Sequence, residues 1–193
     1  MPKKYDLSGL TVLVVDDNNY MVSIVKTLLR AFGITRIREA SDAMLALDEL
    51  RMSRIDIIIL DCAMPTFDGI EFTRMVRTAK DSANPYVPII MLTAYTERNR
   101  VEEARDAGVT EMLRKPISAF DLYLRLIEVV ERPREFVKAS GFFGPDRRRR
   151  KADAFTGKKK RTADNPESET ADAEGISTGS DLVDQDDIDA LFT

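Results

Sequence analysis

The sequence of 193 residues contains no histidine and a single cysteine, Cys62. Because histidine is the commonest metal ligand and general base, any metal site must be built from oxygen ligands, which suit Mg²⁺, Mn²⁺ or Ca²⁺. One cysteine excludes an internal disulfide and is typical of a reducing cytoplasm. The chain also lacks any apolar run near the roughly 18 residues that a membrane-spanning helix needs. We therefore expect a soluble, cytoplasmic protein with no membrane span.

Charged residues are distributed unevenly along the chain. All 29 Lys and Arg residues lie in the first 161 residues, whereas residues 162–193 hold ten acidic residues. Residues 132–161 hold twelve Lys or Arg residues against three acidic ones. Such a separation of basic and acidic residues gives information about binding partners rather than about the fold. It divides the chain into a folded domain at 1–131, a basic segment at 132–161, a disordered acidic linker at 162–181 and a short amphipathic peptide at 182–193.

The first 131 residues alternate between short β-rich runs and helical patterns. Strands are predicted at residues 11–15, 34–38, 57–60, 87–92 and 111–114. Helices are predicted at residues 20–32, after a cap at Ser41, and at 70–79, 97–107 and 119–130. Five such pairs with right-handed crossovers predict a doubly wound α/β fold, with helices on both faces of a five-stranded parallel sheet. Ligands bind at the carboxyl ends of the strands in such sheets.

Polar side chains follow four of these strands at that edge. Asp16 and Asp17 follow the first strand, Asp61 the third, Thr93 ends the fourth and Lys115 follows the fifth. A single aspartate after a strand is usually a turn or a helix cap, but the combination is improbable by chance. Three neighbouring carboxylates repel one another, and Mg²⁺ relieves that repulsion. We predict that Asp61 takes a phosphoryl group as a mixed anhydride, with Thr93 and Lys115 stabilising the transferring oxygens.

These motifs resemble the receiver domain of response regulators, with a size similar to CheY-like proteins. They are Val-Val-Asp16-Asp17, Asp61-Cys-Ala-Met-Pro65-Thr-Phe-Asp68-Gly69, Leu-Thr93-Ala94 and Lys115-Pro116. The resemblance spans residues 8–131 and implies a flavodoxin-like receiver fold and a cis Lys115–Pro116 bond. It implies a signalling protein that modifies only its own pocket, rather than an enzyme.

The resemblance also implies roles for individual residues. Asp61 is the phosphoacceptor for a sensor histidine kinase or a phosphotransfer protein. Mg²⁺ is bound directly by Asp17, Asp61 and the backbone carbonyl of Ala63, and Asp16 helps to hold it through a water molecule. Thr93 and Lys115 bind the phosphoryl group and switch the domain between its two states.

Two positions near the switch residues matter for this resemblance. The family usually has Tyr or Phe three residues before the lysine, whereas this chain has Met112. The aromatic part of the switch is therefore in question, although phosphorylation itself does not need it. Tyr95 lies two residues after Thr93, where the family tunes dephosphorylation, and a bulky ring there is expected to crowd the attacking water.

The basic segment contains an arginine cluster in the run Gly144-Pro-Asp-Arg-Arg-Arg-Arg150. It resembles the arginine-rich extension of CheY-like cyclic di-GMP effectors that act on the flagellar motor. Arginine grips guanine edges and phosphates bidentately. The candidate ligands of cyclic di-GMP are therefore Arg147, Arg148, Arg149 and Arg150, with Arg132 and Arg134 as weaker ones. A solvated basic segment, or nonspecific attraction to RNA or acidic lipid, is the alternative. Three phenylalanines, Phe136, Phe142 and Phe143, either stack on the nucleotide or pack the extension against the domain.

The carboxyl-terminal peptide has a helical apolar pattern. Asp184 is a candidate helix cap, and Ile188, Leu191 and Phe192 share one face of the predicted helix. The peptide resembles the amino-terminal peptide of a flagellar motor switch protein to which chemotaxis regulators bind. It is expected to dock in cis on the last-strand face of the domain or to recruit another regulator in trans; a frayed acidic terminus is the third alternative.

These observations predict a single-domain response regulator that a histidine kinase phosphorylates on an aspartate. It is expected to tune motility or chemotaxis, to contact flagellar motor switch proteins and to bind cyclic di-GMP as well as Mg²⁺. One alternative is a phosphate sink or shuttle for a histidine kinase without a second ligand. A nucleic-acid-binding regulator is a weaker alternative, because no helix-turn-helix pattern follows the domain and no DNA-binding domain is expected.

Overall fold

The computed structural model describes residues 5–65, 67–94, 97–139, 141–146 and 182–192. Its main sheet has five parallel strands in the order β2-β1-β3-β4-β5. Their bounds are β1 (Thr11–Val15), β2 (Arg36–Ala40), β3 (Ile57–Asp61), β4 (Ile89–Thr93) and β5 (Glu111–Arg114). The predicted five-stranded, doubly wound parallel sheet is confirmed.

Helices cover both faces of this sheet, because the inner strands are apolar on both sides. The helices are α1 (Asn19–Ala31), α2 (Ala43–Met52), α3 (Gly69–Thr78), α4 (Arg98–Ala107) and α5 (Ala119–Glu131). Alternate residues of each strand point to opposite faces. One hydrophobic cluster joins the sheet to α2, α3 and α4, and a second joins it to α1 and α5. The two clusters fix the sheet between two helical layers, so its carboxyl edge is a rigid platform.

Three local predictions were wrong. The fourth strand spans Ile89–Thr93 rather than residues 87–92. The second strand begins at Arg36 rather than at residue 34, because Ile34 closes the end of α1 by donating its N–H to the Leu29 carbonyl. The cap of α2 is Asp42 rather than Ser41, and its carboxylate accepts the Leu45 N–H at 2.9 Å. None of these differences moves the carboxyl edge of the sheet.

The extension after α5 forms structure that the sequence analysis did not predict. Strands β6 (Phe136–Ala139) and β7 (Phe142–Pro145) make an antiparallel hairpin. It packs against α3 and α4, where Phe136 and Phe143 form an aromatic cluster with Tyr86. This packing supports the interpretation that these phenylalanines hold the extension against the domain. The predicted linker at residues 162–181 lies outside the described residues.

A buried arginine lies beneath the hairpin. Arg77 donates to the carbonyls of Gly108 at 3.0 Å and Pro85 at 2.9 Å, and its guanidinium carbon lies 5.0 Å from the centre of the Phe136 ring. Burial lowers the pKa of Arg77 to about 9, so the group stays charged at neutral pH. The hairpin comes so close that a Cβ on Gly144 would lie 2.9 Å from the Gly108 Cα. Glycine at position 144 therefore permits the docking of β7.

One further helix, α6 (Gln185–Leu191), lies near the carboxyl terminus and packs against α4 and β5. Asp184 caps it in a capping box with Asp187, so the predicted cap is confirmed. Among the described residues, no helix combines the length and the apolar character needed to cross a bilayer.

Candidate functional site

The predicted site residues meet at the carboxyl edge of the sheet. Asp16 directly follows β1, Asp61 ends β3, Thr93 ends β4 and Lys115 directly follows β5. Asp16, Asp61 and Thr93 are buried, whereas Asp17 is exposed at the mouth of the pocket. The apolar strands behind these residues hold the polar groups in place, so the pocket is preorganised.

Three carboxylates and one ammonium make up the pocket. Asp16, Asp17 and Asp61 each present an oxygen atom, and these atoms all lie within 4.8 Å of one another. The Lys115 Nζ atom lies 2.9 Å from Asp61 Oδ1 and 3.4 Å from Asp16 Oδ2. One ammonium against three carboxylates leaves the pocket short of positive charge.

The electrostatics of the pocket follow from burial and from these contacts. Burial raises the pKa of Asp16, and the neighbouring Asp61 adds to that effect, although the Asn18 N–H and Lys115 oppose it. Burial alone would lower the pKa of Lys115, but the hydrogen bond and the charge of Asp61 outweigh it, so the pKa is raised. Burial also raises the pKa of Cys62 to about 11. Its thiol is therefore protonated at neutral pH, and a protonated thiol is a poor nucleophile.

The donor set of the pocket fits Mg²⁺. Magnesium binds through one or two carboxylates, keeps several waters and leaves room for phosphate oxygens. Asp16, Asp17 and Asp61 supply the carboxylate oxygens, and the exposure of Asp17 leaves the pocket open to solvent on one side. Ala63, two residues after Asp61, is exposed, and the role of its carbonyl as a ligand stays a prediction.

The loop after Asp61 is held close to β3 by Gly69. The Gly69 N–H donates to the Cys62 carbonyl at 2.9 Å, and a Cβ at position 69 would lie 2.4 Å from the Asp61 carbonyl oxygen. Asp68 caps α3 by accepting the Glu71 N–H at 2.8 Å and pairs with Arg100 at 3.2 Å. The Asp68-Gly69 pair thus starts α3 directly beside β3.

The segment after β5 is tied to β4. The Lys115 N–H donates to the Thr93 carbonyl at 2.7 Å, and the Lys115–Pro116 bond is cis, as predicted. Met112 is 2% exposed and belongs to the same hydrophobic cluster as Ile188 and Phe192. Met112 stands where the family usually has an aromatic switch residue, and in this chain it is a residue of the hydrophobic core. Tyr95 lies outside the described residues.

The carboxyl-terminal peptide docks on the same chain. Its anchors Ile188 and Phe192 are 0% and 2% exposed, and Leu191 packs at the edge of the same cluster. The Gln185 side chain accepts the Arg114 N–H at 2.7 Å and donates to the Met112 carbonyl at 3.2 Å. The sequence left open whether the peptide docks in cis on its own domain or binds another regulator in trans. In the structure it docks in cis.

A second acidic group lies under this peptide. Glu111 of β5 is buried, and its carboxylate accepts from Arg125 at 3.5 Å and from Arg134 at 2.9 Å. Arg125 also pairs with Asp189, and Arg134 also donates to the Phe192 carbonyl. We call Arg125, Glu111 and Arg134 the arginine clamp. It joins α5, β5 and the start of the extension to α6.

Sequence reasoning did not find Glu111, Arg125 or the side-chain role of Gln185. The available signal was a glutamate at the start of an apolar strand, because a carboxylate buried in a strand needs cationic partners. Its partners are distant in the sequence, and no local pattern identifies them.

The arginines predicted to bind a nucleotide fall into two groups. Arg132 is largely exposed and pairs with Glu128 at 3.7 Å, whereas Arg134 is largely buried in the arginine clamp. Arg147, Arg148, Arg149 and Arg150 lie outside the described residues. Nucleotide binding by any of them stays a prediction.

Comparison with known proteins agrees with this geometry. The family model described as the response regulator receiver domain matches residues 12–127. Chemotaxis protein CheY-3 of Vibrio cholerae is 35% identical over 124 residues, which cover 64% of this chain and 94% of that protein. Chemotaxis protein CheY of Pseudomonas aeruginosa is 36% identical over 123 residues, which cover 64% of this chain and 98% of that protein.

Solved structures show the same similarity. The chemotaxis protein CheY4 of Vibrio cholerae superimposes with a TM-score of 0.58 at 33% identity, over 62% of this chain and 98% of that one. The receiver domain of the sensor histidine kinase PA1611 of Pseudomonas aeruginosa has a magnesium ion coordinated in its active site cleft. It superimposes with a TM-score of 0.57 at 31% identity, over 64% of this chain and 98% of that one. The family match ends before the hairpin and α6. Residues 12–127, and with them the acidic pocket, make this chain a member of the response regulator receiver family.

Proposed function

We propose that this chain is a response regulator whose Asp61 takes a phosphoryl group from a histidine kinase or a phosphotransfer protein and so tunes motility or chemotaxis. The observation that carries the proposal is the contact of 2.9 Å between Lys115 Nζ and Asp61 Oδ1, in a pocket with two further carboxylates. Receiver domains in general accept phosphoryl groups and bind Mg²⁺ at such an acidic site. The chemotaxis proteins among its relatives support the proposal that this chain tunes motility or chemotaxis.

The reaction follows from the residue types in the pocket. A carboxylate oxygen of Asp61 attacks the phosphorus atom, an acyl phosphate bond forms, and the bond from phosphorus to the donor nitrogen breaks with its electron pair leaving on that nitrogen. Mg²⁺, when bound by Asp16, Asp17 and Asp61, supplies positive charge to the phosphoryl oxygens. Lys115 supplies further positive charge, and the Thr93 hydroxyl donates to a phosphoryl oxygen. The acceptor is consumed once per cycle, so the pocket acts on the chain itself rather than as an enzyme on other molecules.

Acetyl phosphate tests this proposal without a kinase. With Mg²⁺ present, we expect the intact mass of the chain to rise by one phosphoryl group. The Asp61→Asn variant should show no rise, whereas Asp48→Asn, which changes an exposed aspartate on α2, should behave like the wild type. A phosphoryl group found on Asp61→Asn would overturn the proposal.

Cyclic di-GMP is proposed as a second ligand, bound by Arg147, Arg148, Arg149 and Arg150 with help from Arg132 and Arg134. The support comes from the sequence, because four consecutive arginines can bind guanine edges and phosphates. Calorimetry tests the idea on the wild type and on a variant with these four arginines changed to Ala. A variant with Lys158, Lys159, Lys160 and Arg161 changed to Ala removes the same charge and is the matched control. Absence of binding to the wild type, with and without a phosphoryl mimic, would remove this ligand.

A phosphate sink or shuttle is the second candidate. Its specific support is the docked α6, which covers the face formed by α4 and β5, and Met112 at the switch position. A sink needs only the pocket, whereas an effector that contacts motor switch proteins needs the extension. A chain that stops at residue 131 should therefore still restore motility in a deletion strain if the protein is a sink, and should fail to do so if it is an effector.

A further inference from the structure

We propose that the ion pair between Asp68 and Arg100 is a latch that holds the amino end of α4 in its resting position, and that a phosphoryl group on Asp61 opens it. The inference rests on the proposed phosphorylation of Asp61 and adds two positioning residues to it. It concerns the contact between α3 and α4, and not the face on which α6 lies.

Asp68 uses its two carboxylate oxygens for two different contacts. Oδ1 accepts a backbone N–H in the first turn of α3 at 2.8 Å, whereas Oδ2 pairs with Arg100 Nη2 of α4 at 3.2 Å. The next residue, Gly69, donates its N–H to the carbonyl of Cys62, which directly follows Asp61. The latch is therefore attached to the loop that follows Asp61.

The latch belongs to a short chain of ion pairs between α3 and α4. Arg100 Nη1 also pairs with Glu103 at 3.0 Å, and the other carboxylate oxygen of Glu103 pairs with Arg74 of α3 at 2.9 Å. The side chains in these pairs are 30% to 48% exposed, so water screens each pair and each is weak. Contacts of this strength can open and close without disturbing the fold.

The carboxyl end of α4 is held much more firmly. The buried Arg77 donates to the Gly108 carbonyl at 3.0 Å, and a Cβ on Gly144 of β7 would lie 2.9 Å from the Gly108 Cα. Gly108 has a φ of +100°, the left-handed conformation that ends the helix. Because one end is fixed and the other is held by weak ion pairs, a movement of α4 should pivot about Gly108 and displace its amino end.

The charge of a phosphoryl group on Asp61 should weaken the latch. Such a group carries about two negative charges at neutral pH, so it repels Asp68 and attracts Arg100. Burial raises the pKa of the Cys62 thiol to about 11, while Arg100 lowers it and Asp68 raises it. Both charges of the latch therefore reach the residue that follows Asp61, and a new charge there acts on them in opposite directions.

The backbone after Thr93 links the pocket to the same end of α4. Three residues separate Thr93 from Glu97, the N-cap residue of α4. Within the described part of the chain, the Glu97 side chain makes no cap hydrogen bond to the helix. A Thr93 hydroxyl that turns toward the phosphoryl oxygens should therefore displace the start of α4, and the latch opposes that displacement.

Beryllofluoride, a mimic of the phosphoryl group, is the probe, and its affinity is measured with Mg²⁺ by NMR titration of the full-length chain. Asp68→Asn keeps a good cap residue but removes the charge that pairs with Arg100. Asp42→Asn makes the same change at the cap of α2 and is the control. We expect Asp68→Asn to bind the mimic about fivefold more tightly than the wild type and Asp42→Asn, because the resting state no longer contains the pair that must open.

The outcomes separate the latch from the proposed function. Equal affinities of Asp68→Asn and the wild type, even with a lower urea midpoint for the variant, would make the pair purely structural and overturn the latch alone. Weaker binding by Asp68→Asn would also overturn it. No binding of the mimic by the wild type or by any variant would overturn the proposed function, and the latch with it.

The Arg100→Gln background separates a latch from a general effect of charge. Without its partner, Asp68 has no pair to break, so Asp68→Asn should give no further gain in that background. In an Arg98→Gln background the gain should remain, because Arg98 pairs with Glu102 on the same helix. A gain that persists in the Arg100→Gln background would show that Asp68 acts through its charge alone, and the proposal would fail.

A measurement on the unaltered chain guards against misfolding of the variants. Adding beryllofluoride and Mg²⁺ to the isotope-labelled wild type should move the side-chain Nε–H signal of Arg100 and leave that of Arg98 in place. An Arg100 signal that stays in place while the amide signal of Asp61 moves would show that the latch remains closed, which contradicts the proposal.

Discussion

The pocket around Asp61 and the arginine clamp around Glu111 are two charged clusters on the same sheet with opposite charge balance. The pocket holds three carboxylates and the ammonium of Lys115, which pairs with Asp16 and Asp61. In the clamp, the carboxylate of Glu111 has two guanidinium partners, and one of these also pairs with Asp189. A cluster that is short of positive charge favours a cation and a phosphoryl group, whereas a cluster whose charges are paired within the chain holds structure together.

The ends of the strands explain how one sheet supports both clusters. Asp61 ends β3 at the carboxyl edge and reaches solvent through the mouth of the pocket. Glu111 begins β5 and is covered by α5, α6 and Arg134. Solvent access at the pocket permits ligands to exchange, whereas burial at the arginine clamp favours permanent ion pairs. Four changes test this contrast.

The largest expected effect comes from Lys115→Met. It removes the ammonium that lies 2.9 Å from Asp61. We expect the rate of phosphoryl uptake from acetyl phosphate to fall by roughly 10²–10³-fold, as when one donor to a developing charge is lost. Lys80→Met changes an exposed lysine and should leave the rate unchanged. Docking of α6 should survive in both variants, and an unchanged rate in Lys115→Met would contradict the assignment.

Glu111→Gln breaks the clamp rather than the pocket. Two buried guanidinium groups lose their carboxylate, so the free energy of unfolding should fall by about 3 kcal/mol. Glu102→Gln removes an exposed ion pair with Arg98 and should cost at most about 0.5 kcal/mol. Urea denaturation measures both. Similar losses in the two variants would show that burial does not distinguish these pairs.

Gly69→Ala tests the close approach between α3 and β3. The added methyl group would lie 2.4 Å from the Asp61 carbonyl oxygen, so α3 must shift. We expect a loss of about 1–3 kcal/mol in the free energy of unfolding, together with slower phosphoryl uptake. Gly9→Ala meets only the Arg36 side chain at 3.9 Å and should be tolerated. Normal uptake in Gly69→Ala would show that the loop is less constrained than this geometry implies.

The smallest expected effect comes from Asp189→Asn. It removes the negative charge that pairs with Arg125, but Asp189 is 33% exposed, so the docking free energy of α6 should weaken by only about 1 kcal/mol. Competition with the free tail peptide measures this change. Asp186→Asn alters an exposed charge on the same helix and serves as the control. An equal effect of the two changes would mean that overall tail charge, and not the clamp, controls docking.

Most of the fold and the pocket could be predicted from the sequence because their signals are local. The strands around Ile57–Asp61 and Ile89–Thr93 are continuous apolar runs, and each polar site residue follows or ends a predicted strand. Parallel topology then brings residues as distant as Asp16 and Lys115 together. The sequence pattern is strong because the length of each apolar run and the types of its side chains both indicate a buried strand.

The hairpin and the clamp could not be predicted, for two physical reasons. The hairpin is stabilised by a single buried arginine, Arg77, and by Tyr86, and neither residue is near it in the sequence. The clamp joins Glu111, Arg125, Arg134 and Asp189 across three elements and the extension, and charged residues at these positions are ordinary on a surface helix or strand. Only packing shows that these charges are removed from water.

We expect the pocket, and not the clamp, to be the cation site. Titration of the isotope-labelled chain with paramagnetic Mn²⁺ tests it directly, because amide signals near the bound ion broaden first. At substoichiometric Mn²⁺ we predict that the signals of Asp16, Asp17 and Asp61 disappear, that excess Mg²⁺ restores them, and that the signal of Glu111 persists. Early broadening at Glu111 or along α6, with the pocket signals intact, would show that the cation binds elsewhere.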